Sequence, residues 1–454
     1  MSKQRIVIVI SDLHVGGGTA DQGDDHVYDQ NQLRNFVDGL RTSPDGQAGQ
    51  IELYINGDFL EFAQVGQDIY TLRSADAWCS ESESRAKLAL IVAGHRDIFD
   101  ALKAFGAAGN LITIAAGNHD VDLFWPGVQE DLRAVAGPVS FVLGADWTSR
   151  LDGRLRIAHG HQSDLANQFR RWSHPFVTGP DGEERLEMCP GTLFMVKFVN
   201  WLEGNYPFAD NIKPVSALWR ILAHENTLDL VSMTWMLARF AARHPGVTME
   251  TDATDGTSLP AQLVEYMRND PAIGTALRSW YQTYLDGGAS NAVIDDTLRT
   301  DPDRLEALMI KVMAAEGASA WTAALGHVQT GPISLGDEQG TLQLAQSQKI
   351  DDRELFRQVA KRELAGKDKV VEVIVLGHTH CPDDVTWPEL PGKRYFNPGS
   401  WTRYAEIEGQ RELTLDDLKD ESAYPYALNY VRIEALPTGL DARMLTYAHS
   451  PGGL

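Results

Sequence analysis

Five short blocks rich in Asp, His and Asn stand out in this chain: Asp12-Leu13-His14, Gly57-Asp58, Gly117-Asn118-His119-Asp120, His159-Gly160-His161 and Gly377-His378-Thr379-His380. Carboxylate, amide and imidazole groups brought to one point repel one another or go unsatisfied unless a cation lies between them. Together the blocks therefore read as ligands for two metal ions. Carboxylate oxygen and neutral imidazole suit Mn, Fe, Zn or Co, with geometry and supply deciding among them. Asp12 and His14 are two residues apart, so in an extended strand both point to one side, where they can chelate a single ion. His378 and His380 repeat that spacing. In the fourth block His159 comes straight off a strand and is read as the ligand, with His161 behind it or facing substrate.

Each block follows a run with strand character. Ile6–Ile10, 111–114 and 370–375 are rich in β-branched residues, while Leu53-Tyr54-Ile55 and Leu155-Arg156-Ile157 precede the second and fourth blocks. Every candidate ligand then sits at the carboxyl end of a strand, where α/β proteins gather their chemistry. Helical spacing over 29–40 (Leu33, Phe36, Val37, Leu40) and 85–105 (Leu88, Leu90, Ile91, Ile98, Leu102) separates the early strands, and such alternation argues for βαβ units in an α/β fold. From about 193 to 364 the periodicity is helical, with Trp201, Trp219, Trp235, Trp280 and Trp321 in or beside the helices. Strand character returns at 370–376, 428–433 and 442–447, the last two reading as an antiparallel pair joined through Pro437-Thr438-Gly439. The expected organisation is an α/β core of residues 1–175 and 366–454 and a mainly helical insertion of 176–365, acting as a cap or as a module that binds a protein partner.

A chain of 454 residues with 43% hydrophobic content can bury an ample core. Its net charge of −23 argues against nucleic acid as a partner, since binding a phosphate backbone needs a basic face. Cys79, Cys189 and Cys381 lie far apart and read as reduced thiols of a cytoplasmic protein. The apolar run after Lys3 and Arg5 is too short for a leader, and no segment has the length of a membrane span.

The five blocks, in this order, resemble the calcineurin-like metallophosphoesterase superfamily, whose pattern is D-x-H, G-D-x-x, G-N-H-D/E, H and G-H-x-H. The likeness covers about residues 4–165 and 368–405. It implies a layered α-β-β-α sandwich and two divalent ions, with Mn foremost and Fe, Zn or Co as alternatives. By the same resemblance Asp12, His14 and His380 hold the first ion, Asp58 bridges the two, and Asn118, His159 and His378 hold the second. A hydroxide bridging the ions would attack phosphorus in line. His119 would protonate the leaving group, with Asp120 orienting its ring.

The substrate expected is a phosphomonoester, phosphodiester or diphosphate of a small or lipid-like molecule; the alternatives are a nuclease of the same superfamily or a non-catalytic scaffold that keeps the fold. Within the superfamily, residues 53–62, His159-Gly160-His161, Phe169-Arg170 and His174-Pro175 are similar to the UDP-2,3-diacylglucosamine diphosphatase-like branch. That branch has Asp where His161 stands and a far shorter helical insertion. Arg170, Arg171 and His174 could bind a second phosphate or a carboxylate, or form an exposed helix face. Gly16-Gly17-Gly18 reads as a plain loop or a flexible lip, and Asn397-Pro398-Gly399-Ser400 as a turn that either touches substrate or only reverses the chain.

Overall fold

Runs of β-branched and aromatic residues build the frame. Strands β1 (Ile6–Ile10), β2 (Ile51–Asn56), β3 (Leu111–Ala115) and β4 (Ser140–Val142) pair in parallel. With the later strands β5 to β15 numbered along the chain, β14 (Asn429–Leu436) and β15 (Gly439–Thr446) extend this sheet antiparallel beside β1, in the order β15-β14-β1-β2-β3-β4. Leu436 pairs with Gly439, so Pro437 and Thr438 form the two-residue turn that the sequence places there.

A second sheet contains β5 (Thr148–Arg150), β6 (Leu155–Ile157), β10 (Val373–Val375), β11 (Asp383–Thr386) and β12 (Arg394–Asn397) in the order β11-β12-β10-β6-β5. Its three central strands are parallel and its two edge strands antiparallel. Two small pairs complete the strands: β7 (Phe176–Thr178) with β8 (Glu184–Leu186), and β9 (Ile212–Lys213) with β13 (Ala405–Glu406). The chain is thus mixed α/β.

The computed structural model describes residues 5–18, 30–70, 72, 77–164, 167–196, 200, 212–213, 271–300, 304, 308, 311, 352–366, 370–402, 405–406 and 427–447. Most of the helical periodicity read between 201 and 351, and Trp201, Trp219, Trp235 and Trp321, lie outside them.

Val7, Val9, Tyr54 and Ala115 of the first sheet share one apolar cluster with Leu155, Ile157, Val373, Val375 and Phe396 of the second. Each such buried side chain contributes about 1.5–3 kcal/mol relative to exposure. Side chains alternate across a strand, so between Val373 and Val375 the Ile374 side chain turns the other way, into a cluster with Phe356, Ala360 and Leu364.

Those three belong to the last of the α-helices α1 (Gln30–Thr42), α2 (Pro44–Gln47), α3 (Glu81–Gly94), α4 (Arg96–Ala107), α5 (Pro126–Ala136), α6 (Pro190–Phe194), α7 (Pro271–Tyr284), α8 (Asn291–Thr300) and α9 (Asp352–Leu364). Sequence periodicity groups α9 with the helical excursion, yet it packs on β10 and β12.

The chain divides into two compact units. The first, Met1–Pro214, Ile350–Arg411 and Asp416–Leu454, carries both large sheets; the second is Val215–Lys349 with Glu412–Leu415. Residues 176–214 and 350–365 therefore cluster with the sheets. Within the second unit α7 and α8 pack on each other, with Trp280, Tyr281 and Ile294 buried and Arg278 gripping Asp295 at 2.7 and 2.6 Å. No helix among the described residues is long and apolar enough to cross a membrane.

The single helix expected over 85–105 is two. α3 starts earlier, where the Glu83 carboxylate accepts the Ser80 N–H at 2.8 Å, and it stops at Gly94. His95 leaves the helical region (φ −131°, ψ 37°) before α4 begins. The break accommodates Gly17 and Gly18, whose backbone lies against Gly94: a Cβ on Gly94 would come 2.5 Å from the Gly17 carbonyl oxygen. Gly16-Gly17-Gly18 is consequently a buried segment locked under a helix end, not a flexible lip. Gly94→Ala should destabilise the fold by about 1–3 kcal/mol, measured by urea unfolding. Unchanged stability would mean that the glycine contact is dispensable.

Candidate metal centre

All five blocks converge at the carboxyl ends of β1, β2, β3, β6 and β10, taken from both large sheets. Three groups have donor atoms within 4.8 Å of one another: Asp12 with His14 and His380, Asp58 with His159 and His378, and His14 with Glu61 and His119. Asp12 and His14 lie past the end of β1 and are not extended. Asp12 (φ 54°), His14 (46°), Asp58 (49°), His378 (71°) and His380 (59°) all hold left-handed backbone conformations. Outside the site only Leu151 and Asp152 do so among the described non-glycine residues. A non-glycine residue rarely takes this region without surrounding structure to enforce it. Here the two histidines of a block come to one place through tight turns; strand alternation is not what aims them.

Hydrogen bonds decide which ring atoms face inward. The His159 Nδ1–H donates to the Asn56 carbonyl at 2.8 Å, leaving Nε2 3.0 Å from Asp58 Oδ2. The His14 Nδ1–H donates to Glu61 Oε2 at 2.6 Å, and its Nε2 lies 3.1 Å from His380 Nε2, itself 3.5 Å from Asp12 Oδ1. Imidazole nitrogens and carboxylate oxygens thus face one another in two adjacent places. The Asn118 Oδ1 is buried without a hydrogen-bond partner. Such donor sets fit divalent cations, which the buried groups could hold.

Titration behaviour reports the local field. Burial would push the His159 ring down, but Asp58 and Asp12 outweigh it and raise it to about 10. Burial lifts the Asp12 carboxyl, and Asp58 adds to the rise against His159 and His14. The Asp58 carboxyl, although buried, is held well below its usual range by His159, His119 and His14. Carboxylates and imidazoles in the pocket thus perturb one another strongly, as charged groups gathered at one buried point do.

Glu61 is a site residue to which the sequence reading assigns no role. Fully buried, it accepts from His14 Nδ1 and from His119 Nδ1, whose distances to Oε1 and Oε2 are 2.9 and 2.7 Å, and also from the Ala63 N–H. The imidazoles hold its carboxyl far below the usual range despite burial. In turn Glu61 and Asp58 overcome burial to raise His119 to about 9. Asp120, expected to orient His119, does something else: Oδ2 accepts the Phe59 N–H at 2.8 Å and Oδ1 the Gly117 N–H at 2.5 Å. Its carboxyl rises to about 7, through burial first and Asp58 second. It pins the turn of the third block to that of the second, and Glu61 orients the ring. The only sequence signal for Glu61 is a carboxylate inside an otherwise apolar run, Phe59 to Phe62.

His161 is buried beside His159, edge-on to Trp172 at 4.3 Å, and burial with the neighbouring His159 and His378 holds its ring well below the usual range. It packs behind His159 among aromatic rings and belongs to none of the donor groups. Arg170 and Arg171 are exposed, and their backbone N–H groups donate to the Glu187 carboxylate at 2.8 and 3.1 Å. The Asn397–Ser400 turn is buried scaffolding. Asn397 Nδ2 donates to the Gly377 carbonyl and to Thr379 Oγ1, while Ser400 Oγ donates to the Asp12 carbonyl at 2.7 Å, tying the first block to the fifth.

Gly117 must be glycine because a Cβ there would overlap Asp58 Oδ1 and come 2.7 Å from the Asp58 nitrogen. Gly117→Ala should displace Asp58 and weaken Mn²⁺ binding by about tenfold or more, read by calorimetric titration of the full chain; wild-type affinity would remove Asp58 from the metal site. Comparison with known proteins supplies no family for these residues: no protein-family model matches the chain, and no curated protein matches it.

Proposed function

We propose that this chain is a dinuclear-metal phosphoesterase of the calcineurin-like metallophosphoesterase superfamily, with an α-β-β-α core. Its substrate is a phosphomonoester, phosphodiester or diphosphate of a small or lipid-like molecule. The observation that carries this reading is the convergence of Asp12, His14, Asp58, His159, His378 and His380 from two sheets, five of them in left-handed backbone. Asp12, His14 and His380 would hold one cation; Asp58, His159 and His378, with Asn118 Oδ1, would hold the other, and Asp58 is the carboxylate suited to both. Mn²⁺ is the first choice and Fe, Zn or Co the alternatives. When bound, such a pair polarises phosphoryl oxygens and makes water acidic enough to act as a nucleophile near neutral pH.

The chain's own groups do the rest. His119 is the general acid. Glu61 engages its Nδ1, so Nε2 is the atom that passes a proton to the leaving oxygen. The negative charge of Glu61 keeps the ring protonated until that proton is needed, and its second hydrogen bond, to His14, ties the acid to the metal ligands. At 16% side-chain exposure His119 stands on the open side of the cluster, whereas Asp12 and Asp58 lie at its floor with 0% and 1%.

His119→Ala should retain two bound ions and lose turnover by about 10²–10⁴-fold, more for an alkyl ester than for a p-nitrophenyl ester, whose leaving group needs no proton. An equal loss on both esters would refute the acid role. With Mn²⁺ present, bis-p-nitrophenyl phosphate should be hydrolysed faster than single-stranded DNA, and a chelator should abolish the reaction. The reverse order would favour a nuclease, and two bound ions without hydrolysis of any monoester, diester or nucleoside diphosphate would favour a scaffold.

A further inference from the structure

Beside the second donor group lies a pair of residues that neither block includes. Asp164 and Asn167 follow the short 3-10 turn His161–Ser163. The Asp164 Oδ2 lies 3.0 Å from His378 Nε2 and 2.6 Å from Asn167 Nδ2. Asn167 Oδ1 lies 3.3 Å from Asn118 Nδ2. A charged carboxylate only accepts hydrogen bonds, so the two short contacts to Asp164 set the directions in this chain, over the longer 3.4 Å approach of Asn167 Nδ2 to His378 Nε2. His378 must carry its proton on Nε2, which leaves the lone pair on Nδ1. Asn167 must turn its amide nitrogen to Asp164 and its oxygen to Asn118. Asn118 must then give an N–H to Asn167, which sends its own oxygen the opposite way. That oxygen is the buried Oδ1 without a partner, an atom that costs about 1–3 kcal/mol if left unsatisfied.

We infer that Asp164 and Asn167 form a clamp that selects the donor atoms of the second cation site: Nδ1 of His378 and Oδ1 of Asn118. The inference rests on the proposed dinuclear centre and extends it to two positioning residues outside the five blocks. A carboxylate on the far nitrogen of a ligating imidazole fixes its tautomer and makes it a better donor. The clamp adds an amide relay, so one negative charge on Asp164 orders two ligands from different sheets. Asn118 follows β3 and His378 follows β10, and neither can take its wrong rotamer or tautomer without breaking a bond to the pair. Phe356 stacks on the His378 ring with centroids 5.8 Å apart, holding its plane while Asp164 sets its proton.

The test strips the full chain with chelator and titrates it with Mn²⁺ alone, for wild type, Asp164→Ala, Asp164→Asn and Asn167→Ala. Asp164→Ala should weaken one of the two ions by about 10–100-fold and leave the other at wild-type affinity, which also controls for folding. Asp164→Asn should fall between, because its amide oxygen can still accept both bonds. Asn167→Ala should weaken the same ion through Asn118. Long-range ¹H–¹⁵N spectra of Zn²⁺-loaded protein, with His378 assigned by its loss in His378→Gln, should show Nε2–H in wild type and loss of that pattern in Asp164→Ala. Wild-type affinity for both ions in Asp164→Ala and Asn167→Ala, or a proton on Nδ1 of His378, overturns the clamp while leaving the centre in place. A wild type that binds no pair of ions overturns the proposed centre and the clamp with it.

Discussion

Two buried carboxylates, Asp12 and Asp58, lie close enough for Asp58 to raise the Asp12 carboxyl, and the rest of the site is organised around accommodating the pair. Removing two charges from water costs several kcal/mol each unless opposite charge or hydrogen bonds compensate. The compensation is visible in every neighbour. His159 is driven toward its protonated form, the His378 N–H lies 3.0 Å from both Asp12 oxygens, and the His119 backbone N–H donates to Asp58 at 2.9 Å. A divalent cation would supply the same compensation more fully, and it would return the imidazoles to the neutral form that ligands require.

Holding those groups in place has a conformational cost. Left-handed backbone at five non-glycine positions is worth about 1–2 kcal/mol of strain at each, and ordinary loops would relax it. The frame prevents relaxation because each turn is tied to a different turn. Asp120 binds the third block to the second, Ser400 binds the fifth to the first, and Asn56 fixes the fourth against the end of β2 through its carbonyl and its Nδ2. Strand pairing carries these ties into both sheets, whose facing side chains share one apolar cluster. The apolar core thus resists local relaxation in the turns.

Strand positions were legible because β-branched runs are a local signal, and the candidate blocks because Asp, His and Asn at close spacing have few structural uses. What could not be read depends on contacts distant in sequence. Glu61 looks like one more carboxylate until His119, 58 residues away, is seen on it. Asp120 is beside His119 in sequence, but its carboxylate faces the backbone of Phe59 and Gly117. Helical periodicity runs through 85–105 without interruption, and the break at His95 arises because Gly17 and Gly18 occupy the space beside Gly94. Spacing alone suggested that Asp12 and His14 share a side by strand alternation; they share a site through left-handed turns instead, a backbone feature that residue types do not encode.

Depth divides the labour within the cluster. Asp12, Asp58, His14 and His159 are almost fully buried, while His119, His378 and His380 retain side-chain exposures of 16%, 11% and 19%. An anionic ester would therefore meet imidazoles first and carboxylates last. On a chain of net charge −23 a floor of bare carboxylates would repel such a ligand, so anion binding requires cations at the floor to invert the field. The same geometry explains why the proposed proton donor sits at the rim: a leaving group must depart toward solvent, and only a partly exposed imidazole can both meet it there and recover its proton from water. Glu61, buried beneath, reaches from the floor to the rim, and by accepting from both His14 and His119 it links the charge at the floor to the protonation of His119.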